Sequence, residues 1–101
     1  MFKIMDFVNN AFSLQMLKED CTIRVSHLKK WEFDQAKKDC VSVIGHKETA
    51  EILKLDYNRQ DIMLKPGDNL YVAQIIGGRL PEGCTRLPKN RSFKYLKVEV
   101  M

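Results

Sequence analysis

The spacing of apolar side chains divides this chain into short strands and helices with little left over. Residues 2–8 carry Phe2, Ile4, Phe7 and Val8, a bulky run that predicts a central strand, broken by Asn9-Asn10. Ser13 is placed to cap a short helix ending at about residue 17. Residues 21–25 alternate apolar and polar, the period of a half-buried strand. Ser26 then reads as the cap of a helix over 28–38, with Leu28, Trp31 and Gln35 along one face and Trp31 in the core or a dimer contact. Residues 41–44 are short and apolar and stop at Gly45. A helix over 47–55 follows, with Ala50, Ile52 and Leu53 at helical spacing. Glu48 and Glu51 stand in its first two turns, where carboxylates complement the helix dipole. Residues 61–65 and 70–76 read as the arms of a hairpin across Pro66-Gly67-Asp68-Asn69. Gly77-Gly78 ends the second arm, a loop with Pro81, Gly83 and Pro88 follows, and alternation over 93–100 closes the sheet.

Strands alternate with helices early and pair as a hairpin late. The pattern predicts an α/β (α+β) fold with a mixed central sheet of about five strands flanked by about three helices. One domain over 1–101 is expected, because the length suits a single unit and no repeat, linker or low-complexity tract divides it. A hydrophobic share of 45% supports one modest core, and a domain this small gains stability from association.

Charge narrows the partners. With 17 basic and 13 acidic residues the formal charge is +4, which suits a small anion or a short nucleic acid better than a long duplex. Cys21, Cys40 and Cys84 are odd in number and contain no C-x-x-C pair, so zinc-site spacing is absent; Cys21 and Cys40, in or near apolar segments, read as reduced, buried and inert thiols, as in a cytoplasmic protein. The opening residues lack the apolar run of a signal peptide. No stretch approaches the roughly 20 apolar residues of a membrane span, so no membrane partner is expected.

Three places carry residues suited to chemistry. Gly45-His46 precedes a helix, where free amide N–H groups and the positive dipole end favour a phosphate. Gly45 lets a ligand approach the backbone closely. An imidazole at His46 can give or take a proton near neutral pH, and a surface histidine beside a helix start is the plain alternative. Asn10 and Ser13 follow the first strand, where ligands of open α/β sheets bind, although a turn and an N-cap would use the same residues. In Gly77-Gly78-Arg79-Leu80-Pro81-Glu82-Gly83, Arg79 can grip a phosphate with two parallel hydrogen bonds, or serve as a salt-bridged surface residue. Arg59 is a further phosphate candidate. Two histidines without clustered carboxylates argue against a catalytic metal, and no cofactor is expected.

These pieces occur together, in order, in one family. The chain resembles the viral ring nucleases that act as type III anti-CRISPR proteins, with their cellular and mobile-element relatives. The match runs through Asn10-Ala11-Phe12-Ser13-Leu14-Gln15-Met16-Leu17, Ile44-Gly45-His46-Lys47-Glu48-Thr49, Asn58-Arg59, Leu70-Tyr71-Val72-Ala73-Gln74-Ile75 and Arg79-Leu80-Pro81-Glu82-Gly83. The resemblance implies a homodimer that binds cyclic tetra-adenylate and cuts it to linear di-adenylate, switching off type III CRISPR signalling. It implies that His46 is catalytic with help from Glu82, that Arg59 and Arg79 contact the ligand, and that Asn10, Ser13 and Gln74 line the pocket. Two departures stand out. Glu48 replaces a serine common in viral members, adding negative charge, and Gly77-Gly78 lengthens the path from Gln74 to Arg79 by one residue relative to some of them.

Such a reaction needs no metal, because a ribose 2′-OH can attack the adjacent phosphorus while His46 protonates the departing 5′-oxygen. The Gly/Pro-rich loop over 77–91 would then act as a lid. Competing readings are a non-catalytic sponge for the cyclic nucleotide, a small RNA-binding or RNA-cutting module, and a plain structural dimer.

Overall fold

The computed structural model describes residues 6–17 and 20–101. The expected strand over 2–8 therefore lies partly outside the described residues, and its described part is β1, Asp6–Asn9. The other strands are β2 (Ile23–Leu28), β3 (Val41–Ser42), β4 (Asn69–Ile76) and β5 (Ser92–Val100). There are two α-helices, α1 (Lys30–Ala36) and α2 (Lys47–Leu53), and two short 3-10 turns, Leu14–Met16 between β1 and β2 and Lys37–Asp39 directly after α1. The expected mixed five-stranded sheet is present, in the order β2-β5-β4-β1-β3. β1 runs parallel to both β3 and β4, while β5 is antiparallel to β4 and β2.

Alternation along the strands gives the sheet two apolar faces. Val8 of β1 and Ala73 of β4 pack with Phe33 of α1, Ile44, and Ala50 and Leu53 of α2. The opposite face presents Leu70, Val72, Val98 and Val100, and Leu64 seals it with Phe12, Met16, Leu17 and Ile62 from irregular chain. Helices thus cover one face and coil covers part of the other.

Three expectations are corrected. Residues 61–65 are not a strand, and no hairpin joins them to β4. Both edges of β4 are occupied, by β1 and β5, so the arm before Pro66 has no ladder to join. Among the described residues only Leu64 of this stretch makes a bridge, to Leu17, and its N–H donates to the Met16 carbonyl at 2.6 Å. The turn itself forms: Gly67 has φ 97° and its N–H donates to Val100 O at 2.8 Å. Ser26 caps no helix, since pairing with β5 keeps the chain extended through Leu28. The helix begins at Lys30, and the Lys29 N–H donates to Glu32 Oε1 at 2.8 Å. Trp31 is 63% exposed, which removes the core reading and leaves the dimer-contact one, and Phe33 enters the core. α2 also stops earlier than its apolar spacing suggests. Lys54 takes a left-handed conformation at φ 58°, and the Leu55 N–H returns to Ala50 O at 2.9 Å, ending the helix.

Candidate functional site

Parallel pairing of β1 with β3 brings two distant stretches to one edge of the sheet, beyond the strands' carboxyl ends. Asn9 and Asn10 leave β1 there, and Gly45 and His46 follow β3. The Asn9 carboxamide accepts the Asn10 N–H at 2.8 Å, and Asn10 Oδ1 accepts the Gly45 N–H at 3.4 Å. A third stretch closes on them, because the Asn58 N–H donates to Ile44 O at 3.1 Å and so carries Arg59 across Gly45. A Cβ on Gly45 would lie 3.2 Å from Arg59 Cγ. The missing side chain therefore seats the arginine stem, rather than only admitting a ligand. These stretches enclose a cleft of about 550 Å³, lined among others by Asn9, Asn10, Ser13, Gly45, Arg59 and Gln60. Ser13 also caps its 3-10 turn, accepting the Gln15 N–H at 3.3 Å, as the N-cap reading expects, while standing in the cleft lining.

His46 comes next after the cleft's Gly45 and is the N-cap of α2. Its Nδ1 accepts the Thr49 N–H at 3.3 Å and lies 2.8 Å from Thr49 Oγ1. A hydroxyl both donates and accepts, so Thr49 can serve either charge state of the ring. It donates to a bare Nδ1 and accepts from a protonated one. Nε2 is left as the nitrogen available to a reacting group. The helix end is a weaker anion site than its sequence position suggests. α2 has only seven residues, and its Thr49 amide is already taken by His46.

The remaining candidates fall in two other places. Gln74 is exposed near the carboxyl end of β4, opposite Lys94 of β5, and Arg79 follows on the loop after that strand. Neither lines the 550 Å³ cleft. Glu82 borders a second cleft of about 320 Å³ with Lys47, Glu48, Glu51, Gly83, Cys84 and Thr85. The side chain hydrogen-bonded to His46 is Thr49, and Glu82 makes no such bond among the described residues. Glu48 has a defined role: its Oε1 accepts the Gly83 N–H at 3.1 Å and ties the loop tip to α2. That bond holds the Glu48 carboxyl below the usual carboxylate range, helped by its own amide and by His46 and Lys47. Burial pushes the Cys40 thiol up to about 12, so it stays protonated. Among the described residues no group of three or more His, Cys, Asp and Glu side chains is placed to hold a metal ion.

A family model described as STIV B116-like matches residues 7–95, nearly the whole length over which these elements are laid out. The chain belongs to the STIV B116-like family. Its fold is similar to that of B116 of Sulfolobus turreted icosahedral virus (STIV), with a TM-score of 0.78 and 25% identity over 94% of this chain and 98% of that one. A search of curated proteins gives no significant match. Within this B116-like fold no helix of the described residues is long and apolar enough to cross a membrane.

Sequence reasoning missed Asn9, Gln60 and Thr49. Asn9 had been read only as a strand breaker, yet it is buried and lines the cleft. The signal for Thr49 was its spacing: position i+3 from an N-cap is where a polar side chain meets the capping residue.

Proposed function

We propose that this chain is a metal-independent ring nuclease that binds cyclic tetra-adenylate as a homodimer and opens it to linear di-adenylate, turning off type III CRISPR signalling. The observation that carries the reading is the pairing of His46 with Thr49 next to the cleft where Asn10, Ser13, Gly45 and Arg59 meet. It leaves an oriented proton donor beside groups suited to ribose, base and phosphate. A cleft of about 550 Å³ falls in the size range of small-molecule sites.

In this mechanism a ribose 2′-OH attacks its own 3′-phosphorus in line with the departing 5′-oxygen. The P–O5′ bond breaks, a 2′,3′-cyclic phosphate forms, and the 2′-hydroxyl proton passes to solvent. Protonated His46 gives its Nε2 proton to the leaving oxygen, which ends as a 5′-OH. Thr49 Oγ1 accepts the Nδ1 proton before the transfer and still accepts it afterwards, when Nε2 is the bare nitrogen, so the ring keeps its aim; uptake of a proton at Nε2 and loss of the Nδ1 proton to solvent then restore the bond from the Thr49 N–H to Nδ1. Arg59 steadies the phosphate from the cleft wall and Arg79 from the loop. The nucleophile belongs to the substrate, so the chemistry asks for no metal. Glu82 assists from the neighbouring cleft by ordering the attacking sugar or the loop.

A homodimer suits the ligand's symmetry. A ring of four equal nucleotides has a two-fold axis, as does the commonest protein dimer, and two copies of His46 would face opposite phosphates. Leu14, beside Ser13, is 71% exposed, and Met63 of the cleft lining is 49% exposed, surface that a second copy would cover. A non-catalytic sponge is favoured by one observation, the lack of a carboxylate hydrogen-bonded to His46 among the described residues. The deciding experiment incubates pure protein with cyclic tri-, tetra- and hexa-adenylate plus a chelator and resolves the products. Linear di-adenylate from the tetramer, formed over many turnovers, is expected. Release of intact ring at excess ligand would leave only the sponge.

A further inference from the structure

Arg91 stands just before β5 at the far end of the loop that carries Arg79 and Glu82. Its guanidinium is turned back on the loop's first residues. Nε donates to Gly78 O at 3.1 Å and more distantly to Arg79 O at 3.4 Å. Nη2 donates to Arg79 O at 3.2 Å, and Nη1 to Asn90 O at 3.4 Å. Arg91 takes part in no ion pair among the described residues. A fixed positive charge with five donors is thus spent on main-chain carbonyls, where its rigid fork spans neighbouring acceptors.

The two ends of the loop also meet directly. Gly77 and Gly78 have φ of 106° and 110°, a region that side chains rarely allow. A Cβ on Gly77 would lie 2.6 Å from Asn90 O, so the glycine is needed for the crossing. Beyond the crossing, Leu80 is buried and anchors the first limb, and Gly83 is tied to Glu48. The loop is therefore closed at its neck, and the residue whose carbonyl is gripped there is Arg79 itself.

We infer that Arg91 is a positioning residue for Arg79, clamping the main chain at 78–79 so that the Arg79 guanidinium is presented to a phosphate of the bound nucleotide. The inference rests on the phosphodiester-binding role given to Arg79 above. The Gly78 carbonyl, held by Nε, is one of the clamped groups. Without the clamp, Arg79 would search a wide range of positions, and ordering it would weaken each binding event.

Two readouts test this. Amide exchange over 77–83 is measured in the native chain and in Arg91→Gln, without ligand. Affinity for cyclic tetra-adenylate is measured in a His46→Ala background, where the ring stays intact, for Arg91→Gln, Arg91→Lys, Arg79→Ala and the Arg79→Ala/Arg91→Gln pair. Arg91→Gln is expected to speed exchange in this segment and weaken binding roughly tenfold, the scale of one charge-assisted contact. Arg91→Lys should fall between, because it keeps the charge without the fork, and it replaces the glutamine variant if that fails to fold. Once Arg79 is gone, adding Arg91→Gln should cost less than about twofold, since both act through one contact. Unchanged exchange, or a full additive loss in the double variant, overturns the inference. A native chain that binds no ring overturns the functional reading and the ligand role with it, while exchange still decides whether Arg91 holds the loop.

Discussion

The two segments that flank α2 are held by different means. On one side, residues 43–49 are ordered locally: the strand end, Gly45, the His46 cap and Thr49 follow one another, and the imidazole is fixed by its own helix three residues on. On the other side, the loop over 77–91 is fixed by few and distant ties, from Arg91 at the neck and Glu48 at the tip. The local segment suits a group that must be aimed before ligand arrives. The loop, clamped at its neck, anchored by Leu80 and tied at its tip but with most of its residues exposed, suits a group that settles onto the ligand afterwards.

The sharpest way to break this contrast is to remove the imidazole. His46→Ala should retain ring binding and lose turnover by at least roughly 10²-fold, the scale of general-acid catalysis, measured as product formed at saturating ligand. Equal turnover would place the chemistry elsewhere. A smaller effect is expected from Thr49→Val, which keeps shape and deletes the hydroxyl. Turnover should fall about tenfold with the Michaelis constant unchanged, as for a contact felt only in the transition state. Thr49→Ser should restore most of it. Nitrogen NMR on the native chain should show a proton on Nε2 and none on Nδ1 in the neutral ring, and the valine variant should keep that form, because the backbone N–H of residue 49 still donates to Nδ1. A pure Nδ1–H form in the native chain would contradict the His46–Thr49 arrangement.

The smallest effect concerns the loop tip. Glu48 has a folded pKa below its unfolded value, so its tie to Gly83 is complete above the unfolded value and is lost as pH falls through the lowered folded one. The Gly83 amide shift should therefore titrate below the ordinary glutamate range in the native chain. In Glu48→Gln the same amide should show no such step.

Legibility in the sequence followed the range of the interactions. β4, β5, the Ser13 cap and the His46 helix start were visible because alternation and capping act within a few residues. Residues 61–65 misled because Ile62, Met63 and Leu64 resemble a strand, and only the tertiary structure reveals that β4 has no edge left for them. Ser26 misled for a similar reason: pairing across to Lys97 outweighs a local preference for capping. The cleft was half legible. Local sequence points to Asn10, Ser13, Gly45 and Arg59, which line it together, whereas Gln74, Arg79 and Glu82 lie outside its lining. The clamping role of Arg91 gave no signal, since the loop acceptors that make it, Arg79 O and Gly78 O, are 12 and 13 residues away and are carbonyls that any residue supplies.

The bare α-carbon at position 45 acts as a spacer gauge for the site. A Cβ there would stand 3.2 Å from Arg59 Cγ, so even an alanine would make the arginine stem give way by a few tenths of an ångström. The width of the opening is thus adjustable by one small atom group.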